Sequence, residues 1–345
     1  MHAGIDRVLR LGSIQRDERD SVSFVVENRL GHVGPRERGG YHDAPAALTH
    51  PSRGASEVSM STVRGSCLCG DVAWEIAPPL QFMSHCHCGR CRKAHGSAFS
   101  TAVFGPADGF RFTRGEASVA QYESTPGNPR PFCARCGAVV PSGQAWNGLV
   151  GVPAGPLDDD PGVRPIAHIF VTSKAPWYDI RDAVARYDAY PPGVDAPSFP
   201  DLAREAAPAS GTAGSCLCGA VAYVVTGPAL RVQHCHCSRC RKARGAAHAS
   251  NLFTPFDGVR FTRGTERLRS YKVPEARFYT QVFCDTCGSP MPRLDEERGI
   301  ALVPMGGLDT DPGARPMRHI YVASKARWYE IADDLPQFAE LPPTL

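Results

Sequence analysis

HCHCGRCRK at residues 85–93 and HCHCSRCRK at residues 234–242 are near-copies of one unusual nonapeptide. Each packs three thiols into a very short span, Cys86, Cys88 and Cys91 in the first and Cys235, Cys237 and Cys240 in the second. Cysteines spaced this tightly, twice, read as metal ligands. Working outward, an offset of 149 residues also aligns GSCLCG at 65–70 with 214–219 and FTRG at 112–115 with 261–264. Beyond Tyr122 and Tyr271 the offset becomes 151, aligning FCARCG with FCDTCG, LDDDPGVRPIAHIFV with LDTDPGARPMRHIYV, and SKAPWYDI with SKARWYEI. A short loop insertion explains the change, and units this long are whole domains rather than solenoid repeats.

The organisation expected is therefore a first domain at residues 62–182 and a second at 211–333, each with its own core because 345 residues exceed the usual single-domain size. Residues 183–210, rich in proline and alanine, read as an extended linker that lets the domains move, and 334–345 as a C-terminal tail. Residues 1–61 have no counterpart in the repeat. They read as an unstructured extension or a mis-assigned start, with Met60 the true initiator.

Hydrophobic residues make up 42% and charged residues 21%, as in an ordinary globular protein. A net charge of +3 spread over 38 basic and 35 acidic residues gives little support for nucleic-acid binding. No signal-like segment and no apolar run of about 18 residues occurs, which predicts a cytoplasmic protein without membrane contact. In a reducing compartment, 14 cysteines are metal ligands or reactive thiols before they are disulfides. Runs such as DVAWEI, AFSTAVF, RFYTQVF and HIYVAS, punctuated by Gly and Pro, predict a mainly β fold with at most one or two helical turns, CRKAHGSA among them.

Each copy has seven cysteines in three groups. Cys67, Cys69, Cys133 and Cys136, with Cys216, Cys218, Cys284 and Cys287, form short-spaced pairs that can each span one edge of a tetrahedron, the pattern of a closed structural zinc site. The central triplets supply three ligands and leave a position open, the pattern of a reactive zinc. That makes up to two Zn²⁺ per domain. Three thiolates and Zn²⁺ carry a net charge of about −1, since zinc drives the protons off its thiols. Arg90, Arg92, Lys93, Arg239, Arg241 and Lys242 can offset it, although a solvated basic turn is the plainer reading. His85, His87, His234 and His236 can complete the coordination or act as acid or base, with a supporting hydrogen-bonding role preferred. Trp177 and Trp328 read as core anchors, Lys174 and Lys325 as surface residues with a weak anion-binding suggestion, and His168 and His319 have no assigned role.

The ordered series SCLCG, HCHCxxCRK, FCxxCG and HI(F/Y)VxSKAxWY resembles the glutathione-dependent formaldehyde-activating enzyme family, also called the CENP-V/GFA domain family, in both copies. The resemblance implies two tandem zinc-binding β-tent domains. It implies a structural zinc on the outer cysteines and a second zinc on Cys86, Cys88 and Cys91 and on Cys235, Cys237 and Cys240, which would be the catalytic groups. The implied activity is that of a carbon–sulfur lyase of the S-(hydroxymethyl)glutathione synthase type, acting on adducts of a small thiol such as glutathione with an aldehyde. After the CxxC pair the second copy, FCDTCGSPMPRL, looks more like the family than FCARCGAVVPSG, so any division of labour is expected to leave the second copy the more typical. No glutathione-contacting residue is identifiable in either copy. The alternative is a non-catalytic zinc-stabilised module that contacts protein or nucleic acid. Oligomeric state is open.

Overall fold

The computed structural model describes residues 61–343, with Ser198 and Ala203 excepted. The expected N-terminal extension thus lies outside the described residues apart from Ser61. Both repeats have the same mainly β architecture. In the first, Val63–Ser66, Ala73–Ile76 and Phe110–Arg114 form a three-stranded antiparallel sheet. A six-stranded sheet runs in the order Ala185–Tyr187, Pro165–Ile169, Phe82–Cys86, Ser100–Pro106, Leu149–Pro153, Ala145–Trp146. A separate hairpin pairs Val119–Thr125 with Asn128–Cys133. The second repeat matches it with Thr212–Ser215, Ala222–Val225 and Val259–Arg263, a five-stranded sheet around Arg231–Cys235 and Ala249–Pro255, and the hairpin Leu268–Lys272 with Thr280–Cys284.

The two α-helices among the described residues are single seven-residue elements that begin at the triplets, α1 at Gly89–His95 and α2 at Ser238–Arg244. The cysteine before each caps it, Cys88 accepting from the Cys91 N–H and Cys237 from the Cys240 N–H, both at 3.4 Å. A glycine in the left-handed region, Gly96 or Gly245, ends each one.

The expected separate cores do not form. One cluster of buried side chains draws on both repeats, including Trp74, Phe99 and Trp177 from the first and Tyr223, Leu252 and Trp328 from the second. The physical reason lies in strand alternation. In HCHC the histidines point to one face and the cysteines to the other, and residues of both repeats cover the histidine face, Phe99 of its own repeat and Trp328 of the other in the case of His85. His85 packs against Trp328 and Tyr329, and Tyr178 against His234 and His248. Phe99 and His248, equivalent positions of the two copies, meet edge to face at 5.5 Å.

Polar contacts repeat the exchange. Ser97 donates to the His248 carbonyl at 2.6 Å, and Arg241 to the Gly155 carbonyl at 2.9 Å. Backbones approach so closely here that a Cβ on Gly155 would sit 2.3 Å from the Ala246 nitrogen, and one on its counterpart Gly306 2.3 Å from the Arg92 oxygen. The proline-rich segment between the repeats is also engaged. Its strand Ala185–Tyr187 pairs in parallel with Pro165–Ile169, and Arg90 holds the Pro200 carbonyl at 2.7 Å. No helix among the described residues is long and apolar enough to cross a membrane.

Candidate metal centres

All 14 cysteines are free thiols. They gather into the four groups expected, with the sulfurs of each group within 4.8 Å of one another. In the outer groups Cys67 and Cys69 Sγ lie 3.5 Å apart, Cys69 and Cys133 3.7 Å, Cys216 and Cys218 3.4 Å, and Cys218 and Cys284 3.8 Å. A tetrahedron of zinc–sulfur bonds of about 2.3 Å has edges of about 3.8 Å, so the donor sets fit zinc. The Val72 N–H donates to Cys67 Sγ at 3.3 Å and Val221 N–H to Cys216 Sγ at 3.2 Å, the support a thiolate ligand needs. Each CxxC turn closes with a glycine at φ +67° or +69°, Gly137 and Gly288, whose Cβ would collide with Phe283 and Phe132 of the opposite repeat. Each outer centre is therefore keyed into the other copy.

The triplets hold three sulfurs each, and no histidine, aspartate or glutamate joins either group among the described residues. His85, His87, His234 and His236, considered as fourth ligands, are turned away into the inter-repeat core. His87 Nε2 meets His168 Nδ1 at 2.8 Å, and His168 Nε2 meets Asp182 at 2.9 Å. The second copy repeats this with His236, His319 and Asp333 at 2.8 and 3.0 Å. His168 and His319, unassigned from sequence, are thus the middle members of two buried Asp–His–His chains. Burial pushes His87 down to about 3 and His236 to about 2, with the neighbouring histidines adding to the effect.

His248 packs beside the second of these chains, against His236 and His319, fully buried and held well below its ordinary value by burial and by His236, His319 and His85. Unfolded, a histidine takes up a proton below about pH 6.5. The unfolded state then binds more protons than the folded one, so stability is complete above about pH 6.5 and falls as pH drops below it. His248→Phe installs the ring that the first repeat carries at Phe99 and removes an Nε2 without a protein partner. We expect the variant's urea midpoint to decline less steeply than wild type between about pH 6.5 and 5. Parallel declines would show that His248 contributes nothing to acid sensitivity.

The expected solvated basic turns are solvated only in part: Arg239 is exposed and Arg90, Arg241 and Lys242 are half-buried. Arg92 and Lys93 are buried, as is Arg244 at the end of α2. Lys93 Nζ lies 2.7 Å from Asp309 Oδ1 and donates to Ser215 of the other repeat. Its counterpart Lys242 reaches Asp158 at 2.7 Å and Ser66. Lys174 and Lys325 donate to the carbonyls of Tyr178 and Tyr329, and Lys174 also lies 3.8 Å from Asp179 Oδ1. Trp177 and Trp328 are core residues, as read from sequence.

The first triplet opens on a cavity of about 560 Å³. Arg130, His95, Asn128, Ser142 and Trp146 line it, with Cys287 and Gly288 contributed by the second repeat and Asp201 by the connecting segment. Arg130 Nη1 is 3.5 Å from Cys91 Sγ and its Nε donates to Ser124. Burial works against its charge, but the sulfurs of Cys91, Cys88 and Cys86 outweigh that and hold the guanidinium more firmly protonated. His95 Nδ1 meets the Arg244 carbonyl at 2.7 Å, which leaves Nε2 as the acceptor of a neutral imidazole. None of Arg130, His95 and Asn128 is discernible from the cysteine spacing. The signal available was their mismatch with the second copy, which becomes meaningful only once the fold sets them beside the sulfurs.

These features define a tandem, mainly β protein with two pairs of cysteine centres able to hold zinc. The chain belongs to the glutathione-dependent formaldehyde-activating enzyme family, whose profile matches residues 62–173 and 211–324. No curated protein matches it. Among solved structures, a crystal structure of a Rhodobacter sphaeroides protein, a structural-genomics target, is 27% identical over a match covering 30% of this chain and 97% of that one, with a TM-score of 0.24.

Proposed function

We propose that this chain is a zinc-dependent carbon–sulfur lyase that interconverts a small thiol, glutathione being one candidate, and an aldehyde with their S-hydroxyalkyl adduct. The observation that carries the reading is a three-sulfur donor set at the wall of a cavity of about 560 Å³, a size suited to a small molecule. Cys86, Cys88 and Cys91 would hold the reactive zinc, which when bound supplies Lewis acidity and favours a thiolate over a thiol. In the cleavage direction the carbon–sulfur bond breaks, its electron pair stays on sulfur, and the hydroxyl proton of the adduct leaves as the aldehyde C=O forms.

His95 Nε2 is the acceptor in the cavity wall suited to take that proton. Arg130 places a fixed positive charge beside the sulfurs, where negative charge accumulates as the bond breaks. The connecting segment and the second repeat complete the wall, limiting water and holding the two partners together. The zinc-loaded full chain should accelerate exchange between a thiol and formaldehyde, followed by NMR line broadening, by about 10²-fold over the uncatalysed rate, the lower range for proton-transfer catalysis. Cys88→Ser should remove the acceleration. A chain carrying four zincs that accelerates no small aldehyde would sink the lyase reading and leave the zinc-stabilised binding module, which salt-sensitive nucleic-acid binding would then favour.

A further inference from the structure

The two triplets have the same sulfurs but different surroundings. The hairpins that flank them are in equivalent register: Tyr122 faces Arg130 in the first and Tyr271 faces Gln281 in the second. Asn128 thus corresponds to Tyr279, His95 to Arg244 and Ser142 to Arg293. Each exchange puts a larger side chain into the second copy. Tyr279, with Tyr321 and Phe338, packs directly against Cys235, Cys240, Ala249 and Ile320, and its hydroxyl reaches the Arg239 carbonyl at 3.3 Å. Arg244 is buried, and Arg293 fits between Asp295 at 3.3 Å and the Phe278 carbonyl. Phe338 is brought there by the C-terminal segment, which pairs along the sheet through the Phe338 N–H to His319 carbonyl bond at 2.9 Å. A second cavity of about 520 Å³ exists in this repeat, but Phe261, Phe278 and Glu297 line it and none of the triplet cysteines does.

In the first copy the opposite holds. Arg130 is half-buried beside the Cys91 sulfur and has no carboxylate partner among the described residues, so it faces a small-molecule cavity with its charge uncommitted to any acid. Gln281 cannot supply that charge in the second copy, and Arg244, unlike His95, cannot accept a proton.

We infer that the triplets have divided their work: Cys86, Cys88 and Cys91 form the one ligand-taking centre, selective for small thiols that carry a carboxylate for Arg130, and Cys235, Cys237 and Cys240 form a sealed centre. This deepens the lyase reading and rests on it only for the identity of the ligand as a thiol. It reverses the expectation that the second copy, closer to the family in its CxxC segment, would be the more typical. The duplication then has a chemical sense, since the sealed copy lends Cys287 and Gly288 to the wall of the open one.

The test uses the cobalt-substituted full chain, titrated with mercaptosuccinate and with neutral 2-mercaptoethanol while the cobalt–thiolate absorption and the Trp146 fluorescence are recorded. A single binding event per chain is expected, tighter for mercaptosuccinate by at least about ten-fold, the worth of a charge-assisted contact. Asn128→Tyr with Arg130→Gln, which gives the first copy the residues of the second, should weaken that event by about ten-fold or more while metal content is unchanged. Ser142→Arg, at a half-buried rim position, is the milder variant that should obstruct the same event if the double exchange does not fold. Tyr279→Asn should leave its midpoint unaltered. Two equal events, no preference for the dianion, an event lost in Tyr279→Asn, or no binding at all would overturn the inference. Single-site binding without any turnover would instead sink the lyase reading alone.

Discussion

Replacing Cys136 with serine is expected to abolish stable folding of the whole described unit, not of one repeat. Cys136 is fully buried, and with Cys67, Cys69 and Cys133 it ties the start of the repeat to the end of a hairpin far along the chain. Metal bound to such a set contributes free energy to folding directly, about 10–16 kcal/mol in small zinc peptides, against a total stability of about 5–15 kcal/mol for a typical protein. The loss would spread because Gly137, next to Cys136, lies under Phe283 of the other copy. Cys287→Ser should behave in the same way, since Gly288 lies under Phe132. Cys88→Ser provides the contrast. It removes a ligand from the open triplet, yet serine is a preferred helix cap and keeps α1 anchored. Circular dichroism melts with native mass spectrometry check all three variants. Wild type should carry four zincs and Cys88→Ser three with a near-wild-type melt. A folded Cys136→Ser protein melting with wild type would show that the outer centre does not hold the structure.

The division of cysteines into closed sets and open triplets was legible in the sequence because ligand spacing is local and the duplication shows it twice. So was the mainly β class, since short β-branched runs between Gly and Pro turns leave little room for helices. The single shared core was not legible. Its cause is the outward histidine face of HCHC, and no property of one repeat reveals that a second copy covers that face. The two Asp–His–His chains were hidden for the same reason: Asp182 and Asp333 lie beyond the SKAxWY segments and reach His168 and His319 only in the fold. The inequality of the triplets was present as letters, Asn128 against Tyr279 and His95 against Arg244, but those letters carry chemistry only when the sulfurs are known to face them.

Lys93→Met should destabilise the protein by about 3–5 kcal/mol, the usual effect of leaving one buried charge without its partner, whereas Lys242→Met at the equivalent position should cost about 1 kcal/mol or less. The contrast follows from burial alone. The side chains of Lys93 and Asp309 are 4% and 0% exposed, those of Lys242 and Asp158 22% and 42%, while both pairs close to 2.7 Å. Water compensates Asp158 when its lysine goes, but among the described residues the Asp309 carboxylate would keep the hydroxyl of Ser215, which donates to it at 2.6 Å. Burial lowers the pKa of Lys93 while Asp309 opposes that, so the lysine's charge depends on its partner. Adding Asp309→Asn to Lys93→Met should therefore recover most of the loss, because a neutral amide needs no cation, and this recovery separates an electrostatic effect from lost packing. Urea unfolding at saturating zinc measures all three variants against wild type. Equal losses at positions 93 and 242 would mean that the closed and open sides of the molecule are held together equally, and would remove burial as the source of the difference between the copies.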